Sequence, residues 1–490
     1  MKVWGWLAFV VPFGIYAASL SPYVNVWDTA ELQTVPYILG IAHPTGFPAF
    51  VLGGWLFSHA LPFGTVAWRI SLFCALAMSG TALTVFVLCR RLAIGAAASC
   101  GSAILFAVGT IAWTRGTRAE VHAFATLETV VAATAALVWY QTKQPRALVV
   151  AALALGVGLA THETVGLAVP GVAVLIVAAR RVPSWRVVAL CVACVTVPCA
   201  SYAYIPLRSA DVFAHHRDPT LALGVPPGRP FWDYGHPATP AAFLRYVTGS
   251  DFRAAATLAK ILDPATYVAI GPDLWTVGTQ EFPGPALALA AVGAAALLRR
   301  SPVTAVGLGV ALCAAIPFAY AYTAESDPAR YALPAFALVA TLAGYGAELI
   351  SGWLAHGDGR LRDATSALAL AILVCAVLNR NWYLFGERTD ARWAHYVDRV
   401  RAATPGNAII VADWAYATPL AYAAFVERSF GRRVVETSHP SDDVNRVRGW
   451  ARTRPVYIVS ESVPRMLADL RLTMASPGEP NILRVHESGR

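Results

Sequence analysis

The stretch VWDTAELQTVPYILGIAHPTGFP, residues 26–48, carries two carboxylates three positions apart, Asp28 and Glu31, and then His43 ahead of a Pro-Thr-Gly-Phe-Pro turn. Positions three apart on a helix share a face, so a helix over residues 27–38 would aim both acids the same way. A carboxylate within hydrogen-bond reach of an incoming hydroxyl can take its proton as a general base. An acid in the first turn of a helix can equally do no more than stabilise the helix N-terminus, and local spacing leaves both roles open. A second group lies in TRGTRAEVHAF, residues 114–124, where Arg115, Arg118, Glu120 and His122 crowd a short connection. A guanidinium there suits a phosphate or a carboxylate, which it clasps with two parallel hydrogen bonds. THET, residues 161–164, adds His162 and Glu163. A lone His at the end of an apolar run is ordinarily just interfacial, and no second His follows at zinc-motif spacing, so no metal is assigned. His215 and His216 are adjacent, and neighbouring His seldom converge on one ion without help.

These groups are set in an unusually apolar chain. Of 490 residues, 57% are hydrophobic and 14% charged, whereas soluble domains are nearer half apolar and a quarter charged. A polytopic membrane protein is expected. The net charge of +9 does not point to nucleic acid, because the basic residues sit in short pieces between apolar runs, as membrane topology requires. Cys74, Cys89, Cys100, Cys191, Cys194, Cys199, Cys313 and Cys375 all fall within apolar runs; the C-x-x-C spacing of Cys191 and Cys194 has no flanking polar or His ligand, so small core residues are expected. The first apolar run, Val3 to Leu20, resembles a secretory signal but is expected to stay as a first helix, because the acidic stretch follows at once.

Crossing about 30 Å of hydrocarbon takes about 20 apolar residues. Spans are expected at 4–21, 70–89, 93–113, 121–140, 147–161, 164–179, 187–206, 285–298, 303–322, 331–354 and 363–380, about eleven in all by that length rule. Residues 48–62, bracketed by Pro48 and Pro62, suit a helix at the interface. With the N-terminus cytoplasmic, twelve basic residues flank the inner ends and only Arg69, Arg115, Arg118 and Arg330 the short outer connections, in line with the positive-inside tendency. This orientation puts outer loops at 22–69 and 207–284 and the C-terminal tail outside the cell, in a plasma (inner) membrane. The four outer arginines are joined there by Asp28, Glu31, Glu120, Glu163, Glu325 and Asp327. Ionisable groups at span ends that face a cavity are functional candidates; taken singly, each could be a solvated loop charge. Residues 1–380 thus form the membrane module. Residues 381–490 alternate strand-like and amphipathic stretches, such as NAIIVAD, PLAYAAFVERSF, RRVVETS, PVYIVSE, VPRMLADL and NILRVHES. A small α/β domain with a largely parallel sheet is expected, and no Gly-rich phosphate fingerprint follows its first strand.

In order along the chain, WDTAELQTVPYILGIAHPTGFP, RAEVHAF, YIPLRSA…FWDYGHPATPAAFLRYVTG and ESDPARYALPAF resemble a bacterial membrane family whose animal relatives are protein O-mannosyltransferases of the C-type glycosyltransferase superfamily. The likeness covers roughly residues 4–345, more loosely the tail. Where that family has Asp-Ser-Gly-Glu in the first loop this chain has DTAE, keeping both acids, and Thr161 stands before His162 where the family tends to have Asn. The resemblance implies inverting transfer of a sugar, mannose or another hexose, from a polyprenyl-phosphate donor to a protein Ser/Thr or glycan hydroxyl outside the membrane. It implies Asp28 as the essential acid with Glu31 as helper, and Arg118, Arg115 and Arg208 at the carrier phosphate. His43, Glu120, His122, His162 and Arg330 would line the cavity. No cofactor is firmly implied, and a divalent metal requirement stays open. The expected partners are this donor, the acceptor and membrane lipids, and not nucleic acid.

Two other functions are compatible with the composition. A lipid or solute transporter or flippase would show internal repeats and mid-bilayer charges, whereas here no repeat is visible and the charges gather at span ends. A receptor or scaffold working through its tail would need only apolar spans, leaving its outer arginines and acids without a role.

Overall fold

The computed structural model describes residues 2–250, 258–322, 327–437, 444–461, 470–476 and 480–486. Glu325 and most of the VPRMLADL stretch lie outside them. Among the described residues, seven helices are long and apolar enough to cross a membrane: Lys2–Ser19, Val66–Arg91, Val121–Thr142, Trp185–Ala214, Pro302–Ala321, Pro328–Leu354 and Gly359–Arg380. Two bent pairs pass the same test together, Ala96–Ala107 with Thr110–Gly116 at 73° and Pro264–Glu281 with Gly284–Arg300 at 111°. Pro145–Thr161 and Glu163–Ala178 are shorter and apolar. Every expected span falls on one of these helices. The run read as a single straight span at 93–113 is instead broken near Val108–Gly109, and the stretch 207–284 is more helical than a binding loop would be, with Pro240–Val247 and Pro264–Glu281 inside it. Pro48–Ala60 is a helix of 13 residues, too short to cross, as its bracketing prolines imply.

The chain divides into two compact units. The first comprises Met1–Leu20, Leu72–Ser201 and Ser250–Glu387. Its helices pack through small residues: a Cβ on Gly293 or Gly346 would strike the backbone carbonyl of Leu342 or Leu289, so glycine lets the Gly284–Arg300 and Leu333–Leu354 helices touch backbone to backbone, as membrane helices commonly do. Burial separates the spans. Val121–Thr142 is 78% buried within the protein and Trp185–Ala214 only 6%; the first is bundle core, and the second leaves its apolar surface to lipid.

The second unit comprises Ser21–Ser71, Tyr202–Gly249 and Arg388–Arg490. Its centre is a sheet of β1 (Ile409–Ala412), β2 (Val434–Thr437), β3 (Val456–Ser460), β4 (Arg471–Ser476) and β5 (Asn481–His486), in the order β2-β1-β3-β5-β4. Side chains alternate between faces along a strand. Ile410 and Ala412 accordingly join Val400, Ala417 and Leu420 on one side, while Ile409 and Val411 join Val447 and Trp450 on the other. Helices cover both faces of β1 and β3, which is why these central strands read as apolar runs. β1 pairs in parallel with β2 and β3, but β5 is antiparallel to both β3 and β4. The sheet is mixed rather than largely parallel. The short connection from Ser476 to Asn481 can join only antiparallel neighbours, since a parallel crossover needs a dozen or more residues.

The same unit holds the Trp27–Ile38 helix, which packs beside Trp414–Phe425. The PTGFP turn that follows has a physical requirement for its glycine: Gly46 has φ +91°, and a Cβ there would sit 2.8 Å from Ile205 Cδ1 and 2.9 Å from Tyr246 Cε1.

Candidate active site

The acids of the first loop sit where their spacing puts them. Asp28 lies in the first turn of Trp27–Ile38 and Glu31 one turn on. The helix ends at Leu39 in the left-handed conformation, with φ 50°, and Gly40 N–H donates to the Val35 carbonyl at 3.0 Å. This reversal returns the chain along the helix and delivers His43 to Glu31. Glu31 is fully buried; it accepts a hydrogen bond from the His43 backbone N–H at 2.7 Å and pairs with His43 Nδ1 at 2.5 Å. Asp28 Oδ1 accepts a hydrogen bond from the Trp414 indole N–H at 3.0 Å. Burial pushes the Glu31 carboxyl above its ordinary range; His43 opposes this by charge and hydrogen bonding, and Asp28 adds to the rise. Asp28, Glu31 and His43 each present a ligand atom, all within 4.8 Å of one another. Such a trio can share a proton or hold a divalent transition-metal ion, for which a mixed carboxylate and imidazole donor set is suitable. No metal motif is legible in the sequence here, because the third member arrives only through the turn.

Arg208 is near the opposite end of that helix. Its Nε donates to the Leu39 carbonyl at 2.5 Å and its Nη2 to the Ile38 carbonyl at 3.1 Å, while Nη1 pairs with Asp211. It therefore satisfies carbonyls that the helix end leaves without partners, as basic side chains there commonly do. Its expected place at a carrier phosphate is thus shared with a structural duty.

The remaining residues form a second cluster, within the first unit. Glu120 caps the Val121–Thr142 helix, accepting from His122 N–H at 3.3 Å and meeting His122 Nδ1 at 2.7 Å. Its other oxygen accepts from Arg115 Nη1 at 3.1 Å, with Arg330 Nη1 at 3.9 Å. Arg115 also pairs with Asp327. His122 stacks near His162, ring centroids 4.7 Å apart, and edge-on to Tyr331 at 4.5 Å. His122, Arg330 and Tyr331 border a cavity of about 20 Å³, room for a water molecule, and His122 Nε2 has no hydrogen-bond partner among the described residues. Arg118 stands apart, its Nη2 donating to Glu387 at 2.9 Å. All three arginines expected at a phosphate, Arg115, Arg118 and Arg208, are thus already paired with carboxylates. Thr161, which replaces the family's usual Asn, donates to Glu128 at 3.1 Å, so position 161 keeps a hydrogen-bonding role.

Several members were not singled out in the sequence. Glu128 had a signal, being an acid inside an apolar span. Trp414, Tyr331 and Glu387 had none, since their partners lie hundreds of positions away or, for Tyr331, are ring contacts that no spacing encodes; Asp327 was named among the outer carboxylates, but not its pairing with Arg115.

Crystal structures of ArnT from Cupriavidus metallidurans bound to undecaprenyl phosphate and in the apo state align with 99% of this chain and 98% of their own, at TM-scores of 0.58 and 0.57 and 12% and 14% identity. The chain thus shares the fold of ArnT. Residues 28–185 match the family described as the Protein O-mannosyl-transferase TMEM260 N-terminal domain, so over these residues the resemblance drawn from the motifs is borne out. Protein O-mannosyl-transferase tmem260 of Dictyostelium discoideum is 37% identical over 83 residues, 16% of this chain and 10% of that protein. The Mus musculus TMEM260 is 33% identical over 107 residues, 22% of this chain and 15% of that protein. The matched stretches thus span well under a fifth of those relatives.

Proposed function

We propose that this protein is a multi-pass membrane glycosyltransferase that moves a hexose from a polyprenyl-phosphate donor to a hydroxyl, with inversion. The observation that carries this is the acid pair of the first loop, Asp28 held by Trp414 beside a buried Glu31–His43 pair, inside the stretch that matches the O-mannosyl-transferase family. Asp28 is the general base that takes the acceptor proton, and Glu31 with His43 sets its local field. Arg118 and Arg115 are assigned to the carrier phosphate, where a guanidinium stabilises charge developing on the leaving group; Arg208 contributes there while bracing the first-loop helix. His122, Glu120, His162 and Arg330 shape that cationic group. Residues 1–380 form the membrane module, with residues 381–490 and both long loops outside the cell.

The test compares exported proteins and glycans by mass spectrometry with and without the gene. A hexose lost from a defined hydroxyl supports the proposal and identifies the acceptor; identical profiles, together with uptake of a solute or lipid by vesicles holding only this protein, would establish the transporter reading in its place.

The proton balance of the trio gives a second test. His43 lowers the Glu31 carboxyl against the pull of burial, so removing His43 lets Glu31 keep its proton to higher pH. The His43→Asn variant is expected to move the acid limb of the kcat/KM profile upward in pH, with the alkaline side little changed. An acid limb that stays in place would show that Glu31 ionisation does not limit the reaction.

A further inference from the structure

The second unit contains a cleft in which, of the residues given roles above, only Arg208 takes part. It has a volume of about 530 Å³ and is lined by Tyr37, Ile38, His59, Arg208, Arg217, Trp232, Ala424, Phe425, Arg428 and Gly431. Three guanidiniums and an imidazole face it, and Arg208 and Arg217 share the Asp211 carboxylate. Arg428 is exposed. Trp232 Nε1 is buried and without a hydrogen-bond partner among the described residues, an unmet donor in the wall of a basic cleft. Each of these features asks for an anion.

The cleft is joined to the acid pair by the elements themselves. Asp28 and Tyr37–Ile38 belong to one helix, ten positions or roughly 15 Å apart at about 1.5 Å per residue. The Trp414–Phe425 helix runs beside it in the same sense, with Trp414 bonded to Asp28 and Phe425 in the cleft wall. Aromatic rings fill the interval. Phe231 stacks parallel to Trp414 at 5.6 Å and lies 6.1 Å from Phe425, which meets Trp232 edge-on at 5.6 Å. A strip of aromatic side chains thus runs from the proposed base to the arginines.

We infer that the cleft is an acceptor subsite for an acidic side chain of an extended polypeptide whose Ser or Thr hydroxyl lies at Asp28. Extended chain covers about 3.3 Å per residue, so the interval of roughly 15 Å corresponds to an Asp or Glu about four to five positions from the modified hydroxyl. The partly exposed Trp414 and Phe425 rings pack the intervening side chains, and Arg217 and Arg428 take the carboxylate. A polypeptide is favoured over a phosphorylated headgroup because the partly exposed rings of Trp414 and Phe425 lie between Asp28 and the arginines and suit the side chains of a bound peptide.

This inference rests on the assignment of Asp28 as the acceptor base, and its test separates the two. The full-length protein is assayed with a series of peptides carrying one Ser and a single Glu moved from one to eight positions away. The expected result is a KM minimum at four or five positions, about tenfold below that of a peptide with Gln in place of Glu, as one charge-assisted hydrogen bond would give, with kcat unchanged. The Arg217→Ala/Arg428→Ala protein is expected to lose that preference and to handle the Gln peptide as the wild type does. A flat KM across the series overturns the inference, as does a double variant whose KM rises for the donor, or competition by inorganic phosphate or phosphatidylglycerol vesicles but not by the acidic peptide. Equilibrium binding of the same peptides to Asp28→Asn protein is the second measurement. Position-dependent binding without transfer by any form of the enzyme would support the cleft and remove the base, whereas transfer with position-independent binding would do the reverse.

Discussion

Asp28→Asn is expected to abolish transfer in a membrane assay while leaving the protein folded. General-base catalysis contributes about 10²- to 10⁴-fold, so the residual rate should fall to a hundredth or less. The amide is a strict test because it keeps what the carboxylate does structurally. The oxygen that accepts the Trp414 N–H at 3.0 Å is retained in Asn, the volume is nearly the same, and only the basic lone pair with its charge is gone. Amounts in the membrane and thermal stability should match the wild type. A loss concentrated in kcat marks an interaction made in the transition state, whereas a loss in KM alone would indicate that Asp28 merely binds the acceptor. Wild-type transfer by this variant would eliminate the proposed base.

The largest expected effect on stability is at Glu120. Glu120 is 3% exposed and bonded to both His122 and Arg115, with Arg330 at 3.9 Å. Replacement by Gln removes the carboxylate that these basic groups share in a buried site. Breaking a buried ion pair by removing one partner costs about 3–5 kcal/mol, which should appear as a clear drop in the thermal midpoint of the purified protein. The comparison is Arg118→Gln. That arginine and Glu387 are 32% and 28% exposed, and a partly solvated pair contributes at most about 1 kcal/mol. Arg118→Gln should therefore change the midpoint little, so that any loss of transfer reflects the carrier phosphate. Equal destabilisation by the two substitutions would show that the Glu120 cluster is not the buried keystone its contacts indicate.

The sequence by itself determined the apolar spans, the helix bearing Asp28 and Glu31 on one face, and the strand and helix alternation of the tail. Each depends on periodicities of a few residues, set by backbone geometry and by which side of an element must leave water. The break near Gly109 and the helices within 207–284 were less legible. Prolines and polar residues such as Asp263, Pro264 and Pro272 resemble loop composition, although Asp263 in fact caps a helix with Pro264 at its first turn. The mixed pairing of the sheet was decided by which strand pairs with β5, a long-range choice that propensity does not record.

Some pairings are local, as between Glu120 and Arg115 or Arg208 and Asp211, but the long-range ones belonged to the tertiary structure alone. Trp414 meets Asp28 from 386 positions away, Asp327 meets Arg115 from 212, and Glu387 meets Arg118 from 269. The sequence names such groups because carboxylates and guanidiniums are costly at the ends of apolar spans. Which of them pair depends on where whole helices and strands come to rest, and that position is set by the summed burial of many apolar side chains and not by any local spacing.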